Sequence, residues 1–103
     1  MKRKVKSLIE AKEILKKEKA LLAKNYGISN VGIFGSFAFG DFNQKSDVDI
    51  LINLSKKNKV SLLDLIEIEN ELSSKLGRKV DLVTKNGLNP YLKSNILKST
   101  VYV

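Results

Sequence analysis

Apolar residues return every third or fourth position through the first quarter of the chain. Val5, Leu8, Ala11, Leu15, Leu22 and Tyr26 form one stripe, which Ile14 and Leu21 widen. The spacing predicts a helix from about Val5 to Asn25, stopped by Gly27. The pattern then changes. "VGIF", Val31 to Phe34, is a short apolar run that predicts a strand, followed by a loop rich in Gly, Ser and Asn. "DVDILINL", Asp47 to Leu54, is rich in Val, Ile and Leu and predicts a second strand. "KKNK" predicts a solvated loop. A second helix follows, in which Ser61 and Asp64 form a capping pair, Leu62, Leu65, Ile66, Leu72 and Leu76 face inward, and Gly77 marks the end. Lys79 to Thr84 predicts a third strand. Asn89 and Pro90 open a last helix reaching about Lys98, and "TVYV" is short enough for one final strand.

The order αβ(loop)βαβα predicts an α/β or α+β fold, a small mixed sheet flanked by helices. At 103 residues the chain is read as a single domain, 1–103. No apolar run is long enough to span a membrane, and the basic N-terminus leads into no apolar core of a secretory signal. There is no cysteine, which fits a cytoplasmic protein and removes thiol chemistry. There is no histidine either, so no imidazole base or imidazole metal ligand. Acid–base or metal chemistry must therefore rest on Asp, Glu, Lys or Tyr. The formal charge of +8 favours polyanionic partners. The lysines are scattered along the helices, however, so direct nucleic-acid binding is not expected from charge alone.

The chemistry concentrates in "GSFAFGDFNQKSDVDI", Gly35 to Ile50. Alternate strand residues share a face, so Asp47 and Asp49 project together, about 6.6–7 Å apart along the strand. Two carboxylates so placed suit a shared hard cation, Mg²⁺ or Mn²⁺, which keeps waters and binds phosphate oxygens. Asp81, in the third strand, completes a triad if that strand lies beside the second. Three acids suffice for two metal ions, and Asp81 is also placed to act as general base. Gly35 and Ser36 follow a strand directly. Glycine permits close backbone approach, and the serine offers a hydroxyl and an N–H to phosphate, helped by the dipole of a short helix starting there. Taken singly, each feature has an ordinary structural explanation: a turn, a solvent-facing strand edge, or a surface pair of Asp81 with Lys79 or Arg78. The ordered combination is far more specific.

That combination resembles the Gly-Ser-x10-Asp-x-Asp signature of the DNA polymerase β-like nucleotidyltransferases. Within that superfamily the chain looks like the minimal nucleotidyltransferases, partners of HEPN-domain proteins in toxin–antitoxin pairs. The likeness extends to the Ser61 to Leu65 helix start and to "LGRKVDLVT". It implies a polymerase β palm-like fold. It implies that Gly35 and Ser36 bind the nucleoside triphosphate, and that Asp47, Asp49 and Asp81 are the catalytic, Mg²⁺-holding acids. The implied reaction moves AMP from ATP to a tyrosine hydroxyl of a HEPN-family RNase toxin. Two other functions stay open: neutralisation of the toxin by binding alone, and transfer to a small hydroxylated molecule. So do a homo-oligomer and a hetero-complex. One position departs from the family pattern. Phe39 stands where an arginine commonly contacts phosphate, leaving Lys45 or Arg78 as substitutes.

Overall fold

The computed structural model describes residues 4–54 and 60–103. The "KKNK" loop read from the sequence lies outside the described residues. Helix α1 (Leu8–Tyr26) begins at Ser7, whose Oγ accepts the Glu10 N–H at 3.1 Å. It starts three residues later than the stripe predicts, because Val5 is buried without being helical. Its N–H instead donates to the Leu76 carbonyl at 2.9 Å. Strand β1 (Ile28–Phe34) starts earlier than "VGIF" implies. Exposed Ser29 and Asn30 and a register shift between Ile28 and Asn30 interrupt its apolar pattern.

A one-turn helix α2 (Ser36–Phe39) and an irregular loop lead to β2 (Val48–Leu54). Helix α3 (Leu62–Leu76) carries a complete capping box, with Ser61 and Asp64 each bonding the other's backbone N–H. Then come β3 (Val80–Thr84), a 3₁₀ turn over Lys85–Gly87, α4 (Pro90–Ser99) and β4 (Val101–Tyr102).

Among the described residues the strands form one sheet in the order β3-β2-β1-β4. Strand β1 runs antiparallel to β2 and β4, while β2 and β3 are parallel and joined through α3. This is the mixed sheet with flanking helices that the sequence predicts.

The two faces of the sheet differ. Val31, Ile33, Ile50, Ile52, Val48 and Val80 join Ala11, Leu15 and Leu22 of α1 and Ile68, Leu72 and Leu76 of α3 in one buried cluster. The register puts Gly32 opposite Leu51 and Phe34 opposite Asp49 on the other face. There the chain after α4 folds close over Gly32. A Cβ on Gly32 would land on Thr100 Cγ2 and lie 3.2 Å from Tyr102 Cδ1, so only glycine leaves room.

Three residues expected inside are not. Leu62 is 73% exposed, Ile66 48% and Leu21 50%. Each lies at the flank of its helix's apolar arc, and the face that meets the sheet is narrower than the pattern. For α3 that face centres on Ile68, Leu72 and Leu76.

The outer strand β3 leaves alternate N–H groups without a neighbouring strand, and α3 supplies acceptors. Ser73 Oγ accepts the Val80 N–H at 3.0 Å, and Glu69 Oε2 accepts the Leu82 N–H at 3.4 Å. The edge is thereby partly satisfied from within the molecule.

The burial pattern makes a test of the α3 orientation. Leu72→Ala should lower unfolding free energy by about 2–5 kcal/mol through lost burial and cavity formation. Leu62→Ala should stay within about 0.5 kcal/mol, as exposed substitutions do. Denaturant unfolding of both variants checks this, and comparable losses would place Leu62 in the core.

Candidate active site

Three strand ends meet at one edge of the sheet. Strand β1 leaves at Phe34, while β2 and β3 enter at Val48 and Val80. Antiparallel pairing of β1 with β2 and parallel pairing of β2 with β3 bring these points together. Asp49 is registered directly opposite Asp81 and, on its other side, opposite Phe34. Both aspartates are therefore on one face at one level, the face away from the buried cluster of α1 and α3. Asp47 lies just before β2 and is exposed, Asp49 is half-buried and Asp81 is exposed.

Gly35 is fitted to Asp49. Its backbone is at φ 73° and ψ −149°, a conformation essentially restricted to glycine. A Cβ there would fall on Asp49 Oδ2 and lie 3.0 Å from Asp49 Cγ. The missing side chain is the space the carboxylate occupies. Ser36 follows as the first residue of α2, half-buried. A single turn aligns too few peptide dipoles to match a full helix, so the expected dipole contribution at Ser36 is small.

The loop from α2 to Asp47 is braced by its own groups. The Asp41 N–H donates to the Ser36 carbonyl at 3.0 Å. Asn43 Oδ1 accepts the Lys45 N–H and Ser46 Oγ accepts the Asn43 N–H, each at 2.8 Å, and the Ser46 N–H donates to the Asn43 carbonyl at 3.2 Å. Such side-chain turns are the usual work of Asn and Ser.

Arg78 corrects two expectations. It is 7% exposed. Its Nε donates to the Val5 carbonyl at 2.7 Å, and its Nη1 donates to the carbonyls of Asn43 at 2.8 Å and Ser46 at 3.1 Å. Its guanidinium carbon lies 4.9 Å from the Phe37 ring centre and 5.7 Å from that of Phe42. These two rings stack at 4.0 Å with a 9° interplanar angle. Arg78 is therefore neither a substitute for the phosphate-contacting arginine nor a surface partner of Asp81. Phe39 itself is 68% exposed and outside the core. The sequence carried no signal separating Arg78 from Lys79 beside it, since their fates differ only through tertiary packing. An open cleft of about 440 Å³ lies beside Arg78, lined also by Lys4, Lys6, Phe42, Asn43 and Gln44. None of the three aspartates lines it.

Electrostatics single out Asp49. Burial first, then the carboxylates of Asp81 and Asp47, push it above its ordinary 3.8. Crowded negative charge of this kind, with oxygen donors only, fits a hard divalent cation. Among the described residues, no group of three or more ligands already stands in metal-holding geometry. The register gathers the acids at one end of the sheet without closing them into a finished cluster.

The structure thus sets a strand-to-Gly-Ser turn against one aspartate, with a second aspartate on the neighbouring strand. A family model described as nucleotidyltransferase domain matches residues 5–103, and the chain belongs to that family, as a minimal nucleotidyltransferase. A protein of Methanocaldococcus jannaschii with the provisional name protein adenylyltransferase is 47% identical over 100 residues, covering 96% of this chain and 100% of that one. The protein adenylyltransferase MntA of Thermococcus cleftensis is 38% identical over 97 residues, covering 94% of this chain and 96% of its own. A solved structure, provisionally described as a minimal nucleotidyltransferase, superposes with a TM-score of 0.78 at 28% identity, covering 93% of this chain and 95% of the other.

Two measurements probe the site's construction. Gly35→Ala should destabilise the fold by about 1–3 kcal/mol through its backbone conformation and the encounter with Asp49. In an Asp49→Ala background the same change should cost less, because only the backbone part remains. A double-mutant cycle reads the difference, and strict additivity would mean the two residues do not meet.

The second measurement concerns pH. A carboxyl raised in the folded state holds its proton more tightly there than in the unfolded chain. Its favourable contribution is complete below 3.8 and is lost as pH rises through the folded value. Metal-free Asp49→Asn should therefore melt above wild type at neutral pH, and the margin should shrink as pH falls towards 3.8. Thermal unfolding in chelator across that range checks it, and a margin independent of pH would contradict the assigned cause.

Proposed function

We propose that this nucleotidyltransferase transfers AMP from ATP to a tyrosine hydroxyl on a HEPN-family toxin, and so acts as its antitoxin. The observation that supports this reading best is the register of Asp49 opposite Asp81, with Gly35 packed on the Asp49 carboxylate. The naming of two close relatives as protein adenylyltransferases supports a protein acceptor.

In this reading Asp47, Asp49 and Asp81 hold Mg²⁺, which supplies positive charge to the triphosphate and to the attacking oxygen when bound. The Gly35–Ser36 turn lets the triphosphate come close to backbone. The Ser36 hydroxyl, which bonds no other described residue, is available to a phosphate oxygen. A tyrosine hydroxyl has a pKa of about 10 and is a poor nucleophile at neutral pH. Asp81, exposed on the outer strand, takes its proton as general base. The phenolic oxygen then bonds to the α-phosphorus, the bond from that phosphorus to the bridging oxygen breaks, and pyrophosphate leaves. Half-burial of Asp49 and exposure of Asp47 and Asp81 suit this division: one anchored acid and two within reach of a large acceptor.

Intact-mass measurement tests the reading. The protein, a HEPN toxin, ATP and Mg²⁺ are mixed, and the toxin should gain one or more adenylate masses. Asp81→Ala should abolish the gain while the two proteins still associate. Stoichiometric suppression of the toxin with no change in its mass would instead establish neutralisation by binding alone.

A further inference from the structure

We infer that Arg78 is a positioning residue: it fixes the 43–46 turn, and through it Asp47, relative to the Gly35–Ser36 turn. The inference rests on the proposed nucleotidyl-transfer site. It assigns Arg78 no contact with substrate.

A buried guanidinium is costly unless its donors are used. Here one planar group serves three carbonyls on two separate backbone segments. Nη1 reaches the carbonyls of Asn43 and Ser46, two residues that bound the turn immediately before Asp47. Nε reaches Val5, in the segment leading to α1. Charge-assisted bonds of this kind are short and strong. The flat faces are used too. Phe37 belongs to α2, one residue after Ser36, and Phe42 belongs to the loop; the rings stack on each other and both lie within cation–π reach of Arg78. A single side chain thus touches the α2 turn through Phe37 and the approach to Asp47 through two carbonyls. If the turn shifts, Asp47 shifts relative to Ser36.

The span from Ser36 to Asp47 contains no strand and only one helical turn. Its own side-chain turns fix local shape but not its placement against the sheet. Arg78 supplies that placement, since it sits between α3 and β3, at the start of the strand that carries Asp81. Lysine cannot reproduce it. An ammonium is a compact point charge without a planar fork, and it does not stack on aromatic rings in the same way.

The test uses Arg78→Lys and, as a milder probe, Phe42→Leu, which removes the stacking partner without touching a buried hydrogen bond. Both are compared with wild type by hydrogen exchange, Mn²⁺ binding followed by electron paramagnetic resonance, and steady-state adenylate transfer. Amides of the 43–46 turn should exchange about tenfold faster in Arg78→Lys, with α1 amides unchanged, and more modestly faster in Phe42→Leu. Mn²⁺ should bind more weakly. Transfer should fall about 100-fold, mainly in kcat, as expected for a displaced group. Unchanged turn exchange in Arg78→Lys overturns the inference, whatever the rate. So does exchange raised equally across the whole fold, which would assign Arg78 to general stability. If wild type transfers nothing, the proposed activity fails by itself. Faster turn exchange with weaker Mn²⁺ binding in Arg78→Lys would still uphold the positioning of Asp47.

Discussion

Two carboxylates on the same rung of a parallel ladder repel each other, and much of this molecule is arranged around that placement. Asp49 and Asp81 are opposite each other in β2 and β3, and Asp49 is pushed above its ordinary range by burial and by its acidic neighbours. Such a pair is unfavourable for the chain alone. It persists because the register is set elsewhere, by apolar residues on the opposite face. Val48, Ile50 and Ile52 of β2 are all buried, as is Val80 of β3, and these positions alternate with the acids. Sliding β3 by one residue to separate the charges would turn Val80 out of the core. The hydrophobic face holds the charged face in a conformation that the charges themselves oppose.

The division of labour between faces explains two glycines. One face is a conventional helix-covered core. The other accommodates close approaches: Thr100 and Tyr102 over Gly32, and the Asp49 carboxylate against Gly35. Both contacts use the absence of a side chain to bring polar or bulky groups near the sheet. The site's electrostatic strain and its steric tightness therefore occupy the same surface, at the end where the strands and the irregular loop converge.

Much of this was legible in the sequence, for reasons that differ by element. The helix caps at Ser61, Gly77 and Asn89 are local chemistry, and each stands where the sequence indicates. The alternation in "DVDILINL" identifies the two faces of β2 without any tertiary information. The adjacency of β2 and β3 was an expectation conditional on topology, and the parallel pairing supplies it. What stayed hidden depends on packing at a distance. Leu62 and Ile66 fit the period of α3 yet lie outside its contact face. The early part of β1 is masked by polar residues at a bulge. Arg78 reads as one more basic residue in a basic chain, and only the fold reveals three carbonyls and two rings around it.

The hydrogen bonds from β3 to α3 have a consequence beyond covering an edge. Ser73 and Glu69 are four residues apart, one helical turn, and the amides they receive, Val80 and Leu82, are two apart, one strand repeat. Two incommensurate periods thus coincide at a pair of points, like the marks of a vernier. A strand displaced by one residue would turn the N–H groups at these points inward to β2, and both marks would miss together. The helix therefore indexes the outer strand, and with it the depth at which the third carboxylate stands, without touching that carboxylate. Loop length between α3 and β3 is in consequence a sensitive parameter. An inserted residue at 78–79 would have to be absorbed before Val80, or else rotate the whole strand.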